Sequence, residues 1–186
     1  MKAGWIPTED ALHESALAHV ARYATTRAGL ARVLNRRIDR WIATQPEAPA
    51  DSMIATARAA VSRIVERLAQ SGAVDDKAFA QSRARRLMRS GHSGRAIIAH
   101  LAARGIDPAT RKAAVVTDPD QELAAAVKVM ARRKIGPFRM DSASEPTHRR
   151  EQGILARAGF DHEIARRALG LDHDTAAEVL HRVRQE

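Results

Sequence analysis

At 186 residues the chain is long enough for one large domain or two to three small ones, and its aromatic share of 3% beside abundant Ala, Leu, Val, Ile and Arg suits helices packed through small side chains rather than a sheet-rich fold. With no cysteine there is no disulfide, thiolate metal site or cysteine nucleophile; no apolar run nears the ~18 residues of a membrane span; and Met1 to Pro7 lacks the apolar stretch of a secretory signal, so a reducing cytoplasm is the expected compartment. The formal net charge of +9 favours a polyanionic partner, or a partner that itself sits on a polyanion.

In chain order, the spacing of apolar residues predicts a first helix over Thr8–Tyr23 and a second over Ala28–Ile42, with Thr25-Thr26 as break and cap. Gln45 to Ala50 is a proline-punctuated loop. A third helix runs over Ser52–Gln70 and stops at Gly72. Asp75 or Asp76 caps a fourth, to Arg89, and Gly91-His92-Ser93-Gly94 is a tight turn. A fifth follows over Arg95–Arg104 and a sixth over Pro108–Val116. Asp118-Pro119-Asp120-Gln121 combines a cap, a proline at the first helical position and a glutamine two residues later, opening a seventh helix to about Ile135. Gly136-Pro137 stops it. Arg139 to Thr147 is polar and irregular, and is expected to be mobile. His148–Ala158 and His162–Leu169 make a last hairpin, and Asp172 or Asp174 caps a terminal helix to about Arg184. No useful segment alternates with period two, so the fold class is all-α.

One phrase occurs twice. Leu101-Ala102-Ala103-Arg104-Gly105-Ile106-Asp107, running on to Lys112, Ala114 and Val115, aligns without a gap on Leu155-Ala156-Arg157-Ala158-Gly159-Phe160-Asp161, running on to Arg166, Ala168 and Leu169. A weaker copy, Leu68, Gly72, Val74 and Asp75, precedes them with one more residue between Gly and Asp. Each copy reads as a helix end, a left-handed glycine, an apolar plug and a cap for the next helix. In the first copy Pro108 follows Asp107 at the first helical position. Repeats of this kind stack their hairpins and present a binding face. The predicted organisation is three tandem three-helix repeats, residues 8–74, 75–117 and 118–170, with a C-terminal helical extension over 171–186, in an elongated and curved molecule.

The basic residues cluster. Between Ala78 and Ile106 no acid occurs, while Arg83, Arg85, Arg86, Arg89, Arg95 and Arg104 do; between Leu123 and Met140 the same holds, with Lys128, Arg132, Arg133, Lys134 and Arg139. Arg22 to Arg40 is likewise basic, with Asp39 as its acid. On a helical wheel Phe79, Ala80, Ala84 and Leu87 share one side and Arg85 and Arg89 lie opposite, with Arg86 at the boundary. Arg83 falls inside the apolar arc, where its stem would pack. A single basic run is usually a solvated face; basic runs in all three repeats, acid-free but for Asp39, favour a basic stripe. The candidate partner- or DNA-binding residues are Arg85, Arg86, Arg89, Arg95, Arg132, Arg133 and Lys134.

Catalytic and ligand motifs find little support. Gly91-His92-Ser93-Gly94 is not a nucleophile elbow, because Arg95 stands where a second glycine is needed, and the backbone clamp of a KH domain needs strands. A Gly-Ser turn with Ser93 as an N-cap explains it. The histidines form no metal-binding spacing, no phosphate-loop motif occurs, and paired carboxylates such as Asp118 and Asp120 are explained by capping. Trp5 and Trp41 could stack a base, but a core position for Trp41 and a loose arm for Trp5 are the favoured readings. No cofactor, metal or enzymatic activity is expected.

Glu66-Arg67-Leu68, Gly72, Val74-Asp75-Asp76 and Phe79-Ala80 together resemble the junction between the first and second repeats of the RecX family. Arg85, Leu87, Arg89, Gly91, Ile97, Leu101 and Gly105-Ile106 look like its second repeat, and Leu155 to Asp161 like its third. The resemblance spans about Leu12 to Leu169. It implies a non-enzymatic regulator of the RecA recombinase, acting in DNA repair, recombination and the SOS response. Such a protein binds the recombinase and its filament on single-stranded DNA, directly or through the filament. It inhibits ATPase and strand exchange and blocks filament growth or promotes its loss. A monomer is expected, with no membrane association. The alternative is a helix-turn-helix transcription regulator, which would concentrate base-reading side chains on one recognition helix.

Overall fold

The computed structural model describes residues 5–116, 118–140 and 145–185. Among the described residues all regular structure is helical. The helices are α1 Glu9–Val20, α2 Arg27–Ala43, α3 Asp51–Gln70, α4 Asp76–Arg89, α5 Gly94–Ala103, α6 Pro108–Ala114, α7 Pro119–Arg133, α8 Glu145–Arg157, α9 His162–Leu169 and α10 His173–Gln185, with a 3-10 turn over Gly136–Phe138.

Most of the helix N-termini carry a side-chain cap. Thr8 accepts from the Ala11 amide at 3.2 Å and Thr26 from Gly29 at 2.9 Å. Asp118 accepts from Asp120 and Gln121, and Asp161 from Ile164 at 2.7 Å. These bonds satisfy amides that have no partner within the helix. The open choices resolve to Asp75, which accepts from Ala78 at 2.9 Å, and Asp172, which accepts from Thr175 at 2.8 Å. Asp76 instead accepts from the Arg27 amide at the start of α2, at 2.9 Å.

The chain divides into two compact units. One comprises the residues up to Phe79 together with Ala103–Asp107; the other comprises Ala80–Ala102 and the chain from Pro108 onward. In the first, α1, α2 and α3 enclose a core of Leu12, Ala16, Leu30, Leu34, Ile38, Ala57, Ala60, Val61, Ile64, Val65 and Leu68, closed by Val74. Leu30, Leu34 and Ile38 recur every fourth residue, so α2 buries one narrow stripe. In the second, Ala125, Ala126, Val127, Val129 and Met130 of α7 pack against Leu155, Phe160, Ile164, Ala165 and Ala168, and Ala176 of α10 joins them.

The duplicated phrase is both a helix end and a docking point. Leu101, Ile106, Leu155 and Phe160 are buried, and the glycines between them are left-handed, with φ 81° at Gly105 and 90° at Gly159. Before each glycine a carbonyl receives a distant hydroxyl. Thr26, buried at the start of α2, donates to the Arg104 carbonyl at 2.7 Å, and Ser93, buried at the start of α5, donates to the Ala158 carbonyl at 2.8 Å. Both hydroxyls also cap their own helix, Ser93 accepting from Ala96 at 3.2 Å. One hydroxyl thus closes two helix ends that would otherwise carry buried, unpaired groups. Approach is close: a Cβ on Gly105 would lie 2.3 Å from the Ala28 Cβ, and one on Gly159 would lie 2.5 Å from the Ser93 Oγ.

Three differences from the sequence reading have local causes. α7 ends at Arg133, short of Ile135, because Lys134 takes the left-handed C-cap conformation at φ 53°. Ile135 then donates back to the Met130 carbonyl at 3.1 Å, the same closure that Phe160 makes to Leu155. The polar segment is shorter than expected. Gly136–Phe138 forms the 3-10 turn, and α8 already contains Thr147, with Pro146 suited to a first turn; residues 141–144 lie outside the described residues, and with them the expected mobility. Finally, both tryptophans are part-buried: Trp5 packs against the first core rather than forming a loose arm, and Trp41 is not among the buried core residues. The α2 stripe continues from Ile38 to Ile42, which leaves Trp41 off its edge.

Candidate functional site

Every candidate cation is solvent-exposed: Arg85, Arg86 and Arg89 on α4, Arg95 on α5, Arg132 and Arg133 at the end of α7, and Lys134 after it. The helical wheel explains α4, where Ala80, Ala84 and Leu87 are buried and the arginines face out. Arg83 is half-buried, as its place in the apolar arc predicts, and its Nε donates to His100 Nε2 at 2.9 Å.

The second unit contains a cleft of about 730 Å³ between α4, α7 and α10. Of the candidates it brings together Arg85 and Arg89. Arg86, Arg95, Arg132, Arg133 and Lys134 lie outside it; Arg133 is about 18 Å along the α7 axis from Gln121, at 1.5 Å per residue. The cleft adds Lys128, Arg182 and His92, which the candidate set lacks, and it adds acids: Asp118, Asp120 and Glu122. Lys128 lies within an acid-free run and so carried a signal. Arg182, on the terminal helix beyond the recognisable repeats, carried none.

The cleft is held by its own polar contacts. The Lys128 ammonium donates to the Arg89 carbonyl at 3.0 Å, satisfying the C-terminal end of α4. Glu122 accepts from the Gly94 amide at 2.6 Å, at the N-terminus of α5. Burial pushes its carboxyl above the usual range, the Gly94 hydrogen bond opposes that, and the nearby Asp161 charge reinforces it. A Cβ on Gly91 would lie 2.9 Å from the Lys128 Cβ, so the turn after α4 sits tightly on α7. The result is a basic wall on α4, Arg85 and Arg89, and a mixed one on the α7 side, Asp118, Asp120, Glu122 and Lys128, with Arg182 from α10.

Two members of the basic runs serve structure. Arg139 forms an ion pair with Glu151, whose side chain is 5% exposed, and Glu151 also accepts from the Gly136 amide at 3.1 Å. A buried carboxylate with a guanidinium and an amide against it fixes the turn after α7. Arg104 contributes the carbonyl that receives Thr26.

Among the described residues no group of acids, histidines or cysteines is arranged to hold a metal ion, and no helix is long and apolar enough to cross a membrane.

Known proteins place this architecture. Residues 75–115 match a family profile described as the second three-helix domain of RecX. The chain is 36% identical over 162 residues to the regulatory protein RecX of Myxococcus xanthus (strain DK1622), covering 85% of this chain and 83% of that one. The chain belongs to the RecX family. The regulatory protein RecX of Agrobacterium fabrum (strain C58) is 32% identical over 108 residues, 58% of each chain. A crystal structure of a regulatory protein RecX superposes with a TM-score of 0.66 at 17% identity, over 86% of this chain and 70% of that one. The RecX of Lactobacillus salivarius does so with a TM-score of 0.61 at 20% identity, over 93% and 96%. The helical RecX fold is therefore shared, and the repeat architecture read from the duplicated phrase fits it.

Proposed function

We propose that this protein regulates a RecA-type recombinase by binding its filament on single-stranded DNA and restraining ATP hydrolysis, filament growth and strand exchange. The supporting observation is family membership: relatives that share most of the chain's length are named regulatory proteins RecX. The three-repeat division, with its terminal extension, and a cytoplasmic, monomeric protein without an enzymatic step belong to the same reading.

The α4–α7 cleft supports this reading with a candidate contact surface. With Arg85, Arg89, Lys128 and Arg182 beside Asp118, Asp120 and Glu122, the lining complements a protein surface carrying both signs better than bare phosphate. We assign Arg85 and Arg89 to the recombinase, and leave Arg86, Arg95, Arg132, Arg133 and Lys134 as contacts to filament or strand. The test is the ATPase of a RecA-type recombinase on single-stranded DNA, with this protein added up to one copy per recombinase subunit. Inhibition is expected. An unchanged rate across that range would sink the proposal.

A further inference from the structure

Both of the chain's tryptophans line a single cleft in the first unit, of about 720 Å³, together with Ile6, Arg37, Arg40, Thr44 and Gln45. That volume lies within the ~300–1,000 Å³ of ordinary ligand sites. The adjoining core is entirely aliphatic, yet the largest apolar side chains of the protein stand beside arginines at its edge. Both rings are part-buried and line this one cleft, which leaves aromatic surface beside the arginines where a ligand could stack.

We propose that this cleft is a nucleobase-stacking site for single-stranded DNA, with the base against Trp41 and the Arg37 guanidinium and a flanking phosphate at Arg40. The Arg37 guanidinium carbon lies 4.6 Å from the centre of the Trp5 ring, a cation–π contact that orders the guanidinium at the cleft wall. Arg40 is exposed, and no carboxylate lines the cleft among the described residues. Asp39, the acid of the α2 sequence, is engaged by Arg58 at 3.2 Å. Gln45 donates to the Trp41 carbonyl at 3.1 Å and Thr44 to the same carbonyl at 2.7 Å, fixing the backbone beneath the indole. Flat aromatic faces with guanidinium groups and no acid suit an unpaired base and its phosphate; paired bases in a duplex offer no free face. The all-positive rim separates this cleft from the α4–α7 cleft, whose acids oppose a strand.

The inference goes beyond the recombinase reading, because its ligand is the bare strand. Since both tryptophans line the cleft, indole emission reports on it directly. The full chain is titrated with labelled oligothymidylate at low salt, with emission and label anisotropy read together. Quenching should saturate at the midpoint given by anisotropy. Trp41→Ala should weaken binding about tenfold, the loss of one stack, and Trp41→Phe should retain most of it. An abasic sugar-phosphate strand of equal length should bind more weakly and quench little. Binding without quenching, equal affinity for the abasic strand or for duplex, or quenching by polyglutamate and not by the strand, overturns the proposal. If Trp41→Ala loses its helical dichroism, Arg40→Glu replaces it with the same expected loss, and an unchanged affinity there is equally fatal. A parent chain that binds no strand yet inhibits the ATPase would remove the cleft and spare the recombinase reading; quenching by the strand without inhibition would do the reverse.

Discussion

Gly105 and Gly72 share a left-handed backbone, at φ 81° and 74°, but their surroundings differ. A Cβ at Gly72 meets nothing within 4 Å, whereas one at Gly105 would strike Ala28. Gly72→Ala should therefore cost only the backbone term, about 1 kcal/mol. Gly105→Ala adds a clash between two packed segments and should cost about 3 kcal/mol or more. Urea unfolding of the two variants compares them, and equal losses would mean that the close approach at Gly105 carries no energy. The sequence shows both glycines and the shape of the turn, because a left-handed position has a compositional signature. It does not show which glycine is crowded, since Ala28 lies far away in the chain. Lys134 illustrates the opposite failure: it fills the glycine's place in the same closure, so a search for Gly passes over it. Arg83 was legible from its wheel angle, whereas Arg139 read as a surface charge because its partner Glu151 sits on another helix.

At the scale of elements, periodicity and caps place the helices, and those are local signals. The α4–α7 cleft is not local. Its walls come from segments joined only through packing, so spacing alone selects Arg85 and Arg89 and omits the acids facing them. One of those acids supports a test. Burial raises the Glu122 carboxyl, so the folded state takes up a proton at higher pH than the unfolded chain does. Glu122 therefore detracts from stability above its folded pKa, and this disadvantage fades as pH falls into the ordinary carboxylate range of the unfolded chain. Glu122→Gln keeps an acceptor for the Gly94 amide and removes the charge. The variant should melt higher than the parent at pH 7, with the difference narrowing toward pH 4. A difference that stays constant with pH, or grows on acidification, would show that ionisation of Glu122 is not penalised by its site.

For the whole molecule, the net charge of +9 fixes the sign of the partner but not the address of the contact. Arg85→Glu with Arg89→Glu reverses the basic wall without touching the core. Because single exposed charges contribute little to stability, melting should move little, while the concentration needed to inhibit a recombinase should rise roughly tenfold and its salt dependence should weaken. Arg132→Glu with Arg133→Glu, at the far end of α7, serves as the comparison; if that pair has the larger effect, the cleft is not the contact. The paired hydroxyl contacts have a further consequence, in time. Thr26 waits for a carbonyl 78 residues ahead of it and Ser93 for one 65 residues ahead. At roughly 5–20 residues per second of synthesis, those waits last about 4–16 s and 3–13 s. Each helical hairpin leaving the ribosome thus carries an open latch that only its successor can shut, and a chain interrupted after α4 would present Thr26 with nothing to close on.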